Sequence, residues 1–498
     1  MTAKKAGRLY IIGAGFAGQA LANEIRKKAI FGETVAFLDD DPEKIGKKIY
    51  GIPVLGPIRD VARLLRMTPA DEAIIAIPSA SREFLTELYC ILKRAGFDKI
   101  RILPNLSQII EGAPHLIQTR SFDPIDLLGR TPVAINLKES LAYLRNKRVL
   151  ITGAGGSIGS ELCLQLLSGG ASRLYLFGHG ENSVYQIDRE LRLLQEEGVG
   201  EKATLVPIIG DLKDRNYMDY IISKLKADVI FHTAAYKHVP MMEENPVAAI
   251  ENNYFGTKNL VDAALKYGVK RFVFITTDKA VEPVSIYGIS KYLCERLILE
   301  EANKEAAHLS AMHLMAVRFG NVLGSRGSII PLFQQQIEKG GPVTVTSPEM
   351  KRWFMTIPEA CSLVLKAGGV GENGNLYLLD MGDPVYIRDL AEQMIKFNGF
   401  EVDKDIKIDY IGFRPGERVD EPLWSDCEEP IQTEHNRILL IEQKTPPLLD
   451  LHHLTELLMP ICYLDPAQPE KYRDSALLRE VLREAIPTFN AQVTAYGL

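Results

Sequence analysis

Residues 149–159 read VLITGAGGSIG, an apolar run that discharges into glycines at 153, 156 and 159. The run predicts a buried strand. The G-x-x-G-x-x-G spacing predicts a tight turn that opens a helix over Ser160 to Leu167. At such a helix start, free N–H groups and the positive end of the helix dipole would meet phosphate oxygens. Strand, glycine turn and helix in that order are the dinucleotide-binding unit of a doubly wound α/β fold. Its candidate residues are Gly153, Gly156, Ser157, Ile158 and Gly159.

Downstream the β-α alternation continues. A strand over Leu174 to Phe177 ends in Gly178-His179-Gly180-Glu181. An acid at that tip would favour NAD, but Gly178 and His179 occupy it, so NAD and NADP both stay open. A strand over Leu205 to Ile209 leads to Asp211 and Leu212, suited to contact adenine. One over Val229 to His232 runs into Ala234, Ala235, Tyr236 and Lys237, where small residues let backbone approach the far ribose and nicotinamide. Asn253, on the following helix, is placed to brace that turn. Ligands of open α/β sheets collect beyond the carboxyl ends of the strands, and all these tips lie there.

The fifth strand, Phe272 to Ile275, delivers Thr276-Thr277-Asp278-Lys279. After a loop broken by Pro283, Tyr287 and Lys291 fall four residues apart at the start of a helix. That spacing puts a phenol and an ammonium on one helix face. A cation beside a phenol favours the phenolate, which would let Tyr287 act as a base. Asp278 and Lys279 add an acid and a base candidate at the strand tip. Y-x-x-x-K alone is a weak signal that more often marks a surface Tyr and a solvated Lys; the fingerprint upstream gives it weight.

A second fingerprint lies near the N-terminus. Leu9 to Gly18 read LYIIGAGFAG, with Gly13, Gly15 and Gly18 in G-x-G-x-x-G spacing and a helix predicted through Ala29. The next strand, Val35 to Leu38, ends in Asp39-Asp40-Asp41, where an acid could bind a ribose hydroxyl. A strand over Ala73 to Ile77 and a helix over Arg82 to Ala95 follow, and beyond Leu103 the pattern fades. A nucleotide site and a Rossmann-like domain kept for packing or assembly are both open here, since no cluster of chemically useful residues follows the glycines. The expected organisation is therefore an N-terminal Rossmann-like domain over 1–120, a linker over 121–146 with a short helix Lys138 to Leu144, a second domain over 147–443 and a helical extension over 444–498. The fold class is α/β, with two doubly wound parallel-sheet domains and a small C-terminal substrate lobe on the second.

Composition sets limits. With 58 Lys plus Arg against 64 Asp plus Glu, the net charge of −6 gives no support for nucleic acid as a partner. No apolar run is long enough to span a bilayer. The six cysteines are scattered without a C-x-x-C pair, which argues against metal or disulfide frameworks and fits a reducing cytoplasm.

The segments TGAGGSIGSEL, HTAAYKHVPMMEENP, NNYFGT, TTDKAVEPVSIYGISK, RFGNVLGSRGSIIPLF, RWFMTIPEA and RPGE follow in this order. From Asn146 to Gln443 the chain thereby resembles extended short-chain dehydrogenase/reductases acting on nucleotide sugars. Specifically, it is similar to polysaccharide-biosynthesis nucleoside-diphosphate-sugar 4,6-dehydratases. Epimerases share the glycines and Y-x-x-x-K, whereas the Thr-Asp-Lys triplet resembles dehydratases of UDP-N-acetylglucosamine. Many large relatives begin with membrane-spanning helices; none is read in this chain, and membrane attachment is not carried over. Some relatives replace the active-site Tyr by Met, whereas Tyr287 is retained.

The resemblance implies an NAD(P)-dependent lyase that makes a 4-keto-6-deoxy UDP-sugar for surface polysaccharide and assembles as a homo-oligomer. Thr277, Asp278, Lys279, Tyr287 and Lys291 would be catalytic. Lys279, its pKa depressed by burial and nearby Lys291, would remove H5, and Asp278 would protonate the leaving 6-hydroxyl. Lys237 and the glycine turn would serve the cofactor. Asn321, Arg326, Arg352, Arg414 and Glu417 would bind the UDP moiety, the alternative for each being a surface salt bridge. No metal is expected. A C4 epimerase would need Tyr287 and Lys291 but no acid–base pair at Asp278-Lys279. A nucleotide-sensing protein without turnover is the reading from another class.

Overall fold

The computed structural model describes residues 7–28, 32–77, 80, 82–97, 99–102, 120–121, 141–196, 198–200, 202–307, 312–445, 449–487 and 489. The chain forms two compact units. One comprises Met1–Ala134, Ile329–Val345 and Arg388–Asp409; the other comprises Ile135–Ser328, Thr346–Ile387 and Tyr410–Leu498. The boundaries expected at 120 and 443 cut the chain once each, whereas these units interleave.

In the first unit the strands are β1 (Arg8–Ile12), β2 (Glu33–Leu38), β3 (Lys48–Ile49), β4 (Ile52–Leu55), β5 (Glu72–Ile75), β6 (Lys99–Ile102) and β7 (Arg120–Ser121). They form one sheet in the order β3-β4-β2-β1-β5-β6-β7, antiparallel only at its two outer pairings. Leu9 to Ile12 are all fully buried, as a parallel strand covered on both faces must be. Helices α1 (Phe16–Lys28), α2 (Val61–Met67) and α3 (Arg82–Ala95) supply the cover. Phe397, far downstream, joins this core and stacks on Tyr89 of α3 with ring centroids 3.9 Å apart.

The second unit is built on a nine-stranded sheet. Its first six strands are β8 (Arg148–Thr152), β9 (Arg173–Gly178), β10 (Thr204–Ile209), β11 (Val229–His232), β12 (Arg271–Thr277) and β13 (His313–Phe319). They lie parallel in the order β10-β9-β8-β11-β12-β13, followed by Leu376–Leu379, Ile438–Gln443 and Glu428–Gln432, the last two antiparallel. Strand order reverses between β8 and β11, which opens a crevice at their carboxyl ends. Arg318 of β13 is fully buried between two carboxylates, Glu295 at 2.8 Å and Glu428 at 3.0 Å, and ties the sheet to the helix Ile286–Ala307.

Two expectations shift. The helix after the glycine turn, α4 (Ser157–Ser168), starts three residues earlier than expected, because Gly156 in extended conformation caps it. Of the linker helix only one turn, Ala142–Leu144, is seen; Lys138 lies outside the described residues. The C-terminal helices Leu451–Cys462 and Ser475–Ala485 bury Leu454, Leu458, Leu478 and Leu482 in the core of the second unit.

Candidate active site

At the β8–β11 crevice the glycine turn is held by its neighbours. Gly153 has φ +69°, and a Cβ there would sit 2.9 Å from the backbone of Ala234, in the loop after β11. A Cβ at Gly159 would collide with the Gly153 carbonyl oxygen, so the helix can pack onto the turn only with glycine there. The first turn of α4, with Ser157, Ile158 and Gly159, presents its N–H groups beside this crevice. Thr152 Oγ1 lies 2.6 Å from Nδ1 of His232, whose Nε2 meets Thr257 at 2.8 Å. Burial, reinforced by Lys291, pulls His232 down to about 3, so it is a neutral core histidine. Asp211 accepts from the Lys213 N–H at 3.0 Å beside buried Leu212.

The loop carrying Ala234, Ala235, Tyr236 and Lys237 is clamped by Asn253. Its Oδ1 accepts the Tyr236 N–H at 2.8 Å, and its Nδ2 donates to Tyr236 O and to Ser290, both at 2.9 Å. Asn253 lies in a widened π turn, Ile250–Phe255, which aims its amide at the loop. Lys237 reaches Ser325 at 3.4 Å, and burial lowers its pKa.

The chemistry-bearing groups meet at the tip of β12. Thr277 Oγ1 donates to Asp278 Oδ1 at 2.9 Å, and Lys279 Nζ donates to the same oxygen at 3.0 Å. Asp278 is fully buried, and its Oδ2 has no hydrogen-bond partner among the described residues. A Cβ at Gly320 would come within 2.8 Å of that oxygen, so glycine keeps the space beside it open. Asn321 Oδ1 lies 3.4 Å from Lys279 Nζ. Tyr287 is buried in hydrogen-bonding reach of Thr277. A Cβ at Gly288 would overlap the Lys279 carbonyl oxygen, so this glycine lets the Tyr287 helix close on the strand tip.

Two electrostatic expectations are corrected. Lys291 does not favour the Tyr287 phenolate in this arrangement: its Nζ donates to Ile275 O at 2.7 Å and sits 4.0 Å from the Phe274 ring centroid. Burial, followed by the charge of Asp278, raises the Tyr287 pKa well above its ordinary value. The groups around the Lys279 amine are Asp278, Asn321 and Glu421 at 3.8 Å, not Lys291.

The other anticipated substrate residues are placed unevenly. Arg326 lies on the glycine turn, donating to Gly155 O at 3.0 Å, while its N–H donates to Ser157 Oγ at 3.0 Å. Arg352 is buried and spends its guanidinium on the carbonyls of Lys351, Arg418 and Val419. Arg414 and Glu417 close a turn on each other, Arg414 N–H to Glu417 Oε2 at 3.1 Å, which packs through Gly416 against Ser285.

Sequence reasoning missed three residues. Glu421 is buried within 3.8 Å of Lys279 and Arg352 and 3.7 Å of Arg418; burial pushes its carboxyl up against the pull of Lys279. Arg418 donates to the carbonyls of Val281 and Glu282 in the loop after Lys279. Glu243 accepts the Ile286 N–H at 2.7 Å, capping the Tyr287 helix, and is held by Arg479 at 3.0 Å, so the C-terminal helices brace the site. Nothing in the charged run GERVDE marks Glu421 as buried; only its closeness to RPGE hinted at the site.

No group of three or more His, Cys, Asp or Glu among the described residues is placed to hold a metal. No helix among them is long and apolar enough to cross a membrane.

Residues 149–443 match the family model described as polysaccharide biosynthesis protein, and residues 4–88 match the CoA binding domain model. The chain is 41% identical over 420 residues to capsular polysaccharide biosynthesis protein CapD of Staphylococcus aureus, covering 84% of this chain and 68% of the relative. It is 33% identical over 287 residues to a UDP-glucose 4-epimerase of Rickettsia rickettsii, covering 57% and 79%. Among solved structures, Pen from Bacillus thuringiensis superposes with a TM-score of 0.54 at 32% identity, over 60% of this chain and 90% of that one.

Proposed function

The chain belongs to the polysaccharide biosynthesis protein family, and from that premise we propose that it is an NAD(P)-dependent 4,6-dehydratase of UDP-N-acetylglucosamine or a close analogue. The observation that carries the reading is the Asp278–Lys279 pair at the β12 tip, with Thr277 and Tyr287 beside it. The crevice suits a dinucleotide: Gly153 and Gly159 permit the tight turn, and the start of α4 offers N–H groups to a pyrophosphate. Bound there, NAD(P) would supply the hydride acceptor for C4 and the hydride donor for C6.

Once its own phenol proton has been released in the complex, Tyr287 takes the proton of the 4-hydroxyl, and Thr277 hydrogen-bonds the same oxygen. The C4 ketone then acidifies H5. Moving one proton along the 3.0 Å hydrogen bond turns the Lys279–Asp278 ion pair into a neutral amine and a carboxylic acid. The amine takes H5 as general base, and the acid protonates the departing 6-hydroxyl, which leaves as water. Lys279 is then an ammonium and Asp278 a carboxylate. The ammonium returns a proton to C5 as C6 is reduced, and the proton that Tyr287 took from the 4-hydroxyl is released to solvent while the Lys279–Asp278 pair takes one up, which restores the starting state. Glu421, Arg352 and Arg418 hold the loop opposite this pair.

The similarity to a UDP-glucose 4-epimerase supports a second reading, C4 epimerisation by Tyr287 without elimination. Incubation with UDP-N-acetylglucosamine decides between them. A product lighter by one water, with a 4-keto chromophore in alkali, supports the dehydratase; the 4-epimer of unchanged mass overturns it.

A further inference from the structure

The first unit repeats the architecture of the crevice just described. Its sheet runs β4-β2-β1-β5, so strand order reverses between β1 and β5, and a nucleotide would bind at their carboxyl ends. A cleft of about 430 Å³ opens there, bordered by Gly13, Gly15, Asp39, Asp40, Ile77 and Phe84. The turn is built like that at Gly153: Gly13 has φ +100°, and a Cβ at Gly18 would collide with the Gly13 carbonyl oxygen. Gly15 differs from both. Its φ is unexceptional, and a Cβ there would meet nothing within 4 Å. Neither backbone strain nor packing asks for glycine at 15, but a pyrophosphate lying against the backbone would.

The end of β2 decides which nucleotide. Asp39 Oδ2 accepts the Ala14 N–H of the turn at 2.7 Å, and its Oδ1 accepts the Asp41 N–H at 2.9 Å. That places a carboxylate where the ribose of a nucleotide seated on the turn would lie. Asp40 borders the same cleft, with one oxygen held by the Ile58 N–H at 2.7 Å. Lys44, which also borders the cleft, is already paired with Asp39 at 3.4 Å and Asp41 at 3.2 Å. Carboxylates accept hydrogen bonds from a ribose diol and repel a phosphate on it. The CoA binding domain model matches this unit, yet CoA carries a 3′-phosphate that these carboxylates oppose.

We propose that the first unit holds a second nucleotide site, selective for an ADP moiety whose ribose carries free 2′- and 3′-hydroxyls. Ile58, Ile77 and Phe84 give the base an apolar wall. The site is separate from the Gly153 turn and does not depend on the reaction carried out there.

Hydrogen exchange on the full chain tests it, with ADP-ribose, adenosine 3′,5′-bisphosphate and CoA as probes. ADP-ribose should slow exchange at residues 13–18 and 39–44, with the two 3′-phosphorylated probes weaker by at least ~10-fold. Gly15→Val should remove that protection with the unfolding transition unchanged, since the added side chain meets only the cleft. Asp39→Asn, which keeps an acceptor for the Ala14 N–H, should narrow the preference against the 3′-phosphate. Exchange at residues 156–160 reports the other turn separately, so failure of the dehydratase reading leaves this result legible. Equal or stronger protection by CoA overturns the proposal. So does the absence of protection at 13–18, or its survival in a folded Gly15→Val protein.

Discussion

Lys279 Nζ lies 3.0 Å from Oδ1 of Asp278, the residue that precedes it in the chain. Adjacent residues of a strand point to opposite faces, so two neighbours can share a hydrogen bond only where the strand has ended. The chain turns at once into the short 3₁₀ helix Asp278–Ala280, with Thr277 accepting the Lys279 N–H. The turn converts sequence adjacency into a proton-sharing pair.

From that pair follows the first prediction. Lys279→Ala and Asp278→Asn should each slow elimination by about 10²-fold or more, the scale of general acid–base catalysis. Cofactor retention should be preserved, because neither residue touches the glycine turn. Product formation near the parent rate in both variants, measured by the loss of water, would remove their assigned roles.

Lys291 makes a prediction about pH. Burial lowers its pKa from 10.5 to about 8 in the folded chain. Between those values the unfolded chain still holds the proton that the folded one has lost, so stability rises with pH through this window. The rise is on the order of 3 kcal/mol for one buried group. Denaturant unfolding of nucleotide-free protein at pH 7, 9 and 10.5 should show that slope in the parent and lose it in Lys291→Met. Parallel slopes in the two proteins would show that Lys291 is charged across the window.

The buried triad predicts an asymmetry. Arg318 faces both Glu295 and Glu428, so removing the cation strands two carboxylates, whereas removing one carboxylate leaves a neutral pair. Arg318→Met should therefore cost ~3–5 kcal/mol, the scale of breaking a buried pair. Glu295→Gln should cost clearly less. Equal losses from chemical unfolding would refute the charge-balance account.

What could be read in advance follows from how local each signal is. Both glycine turns are legible because strand, turn and helix are contiguous and their spacing is fixed by the backbone. Thr277, Asp278 and Lys279 are legible for the same reason. Glu421 is not: its burial depends on Lys279, Arg352 and Arg418 arriving from distant segments. The four-residue spacing puts Tyr287 and Lys291 on one helix face, but does not reveal that Lys291 would find the carbonyl of Ile275 before the phenol. Nor does the apolar character of Phe397 say that its partner is Tyr89, more than three hundred residues away.

The last prediction concerns the path of hydrogen. If Tyr287 starts the reaction by taking the 4-hydroxyl proton, Tyr287→Phe should stop oxidation at C4 and leave nothing acidic for Lys279 to deprotonate. Because burial and Asp278 hold the Tyr287 proton tightly in the free chain, activity should increase with pH until that proton is released in the complex. Substrate deuterated at C4 should give product carrying deuterium at C6, since the hydride removed is the hydride returned. Hydrogen from solvent should enter at C5, delivered by the Lys279 ammonium after it has exchanged with water. Mass spectrometry and proton NMR of the product distinguish the two positions. Deuterium that stays at C4 would mean that no oxidation occurs there. Stoichiometric consumption of the cofactor would mean a net dehydrogenase, and either result excludes the dehydratase.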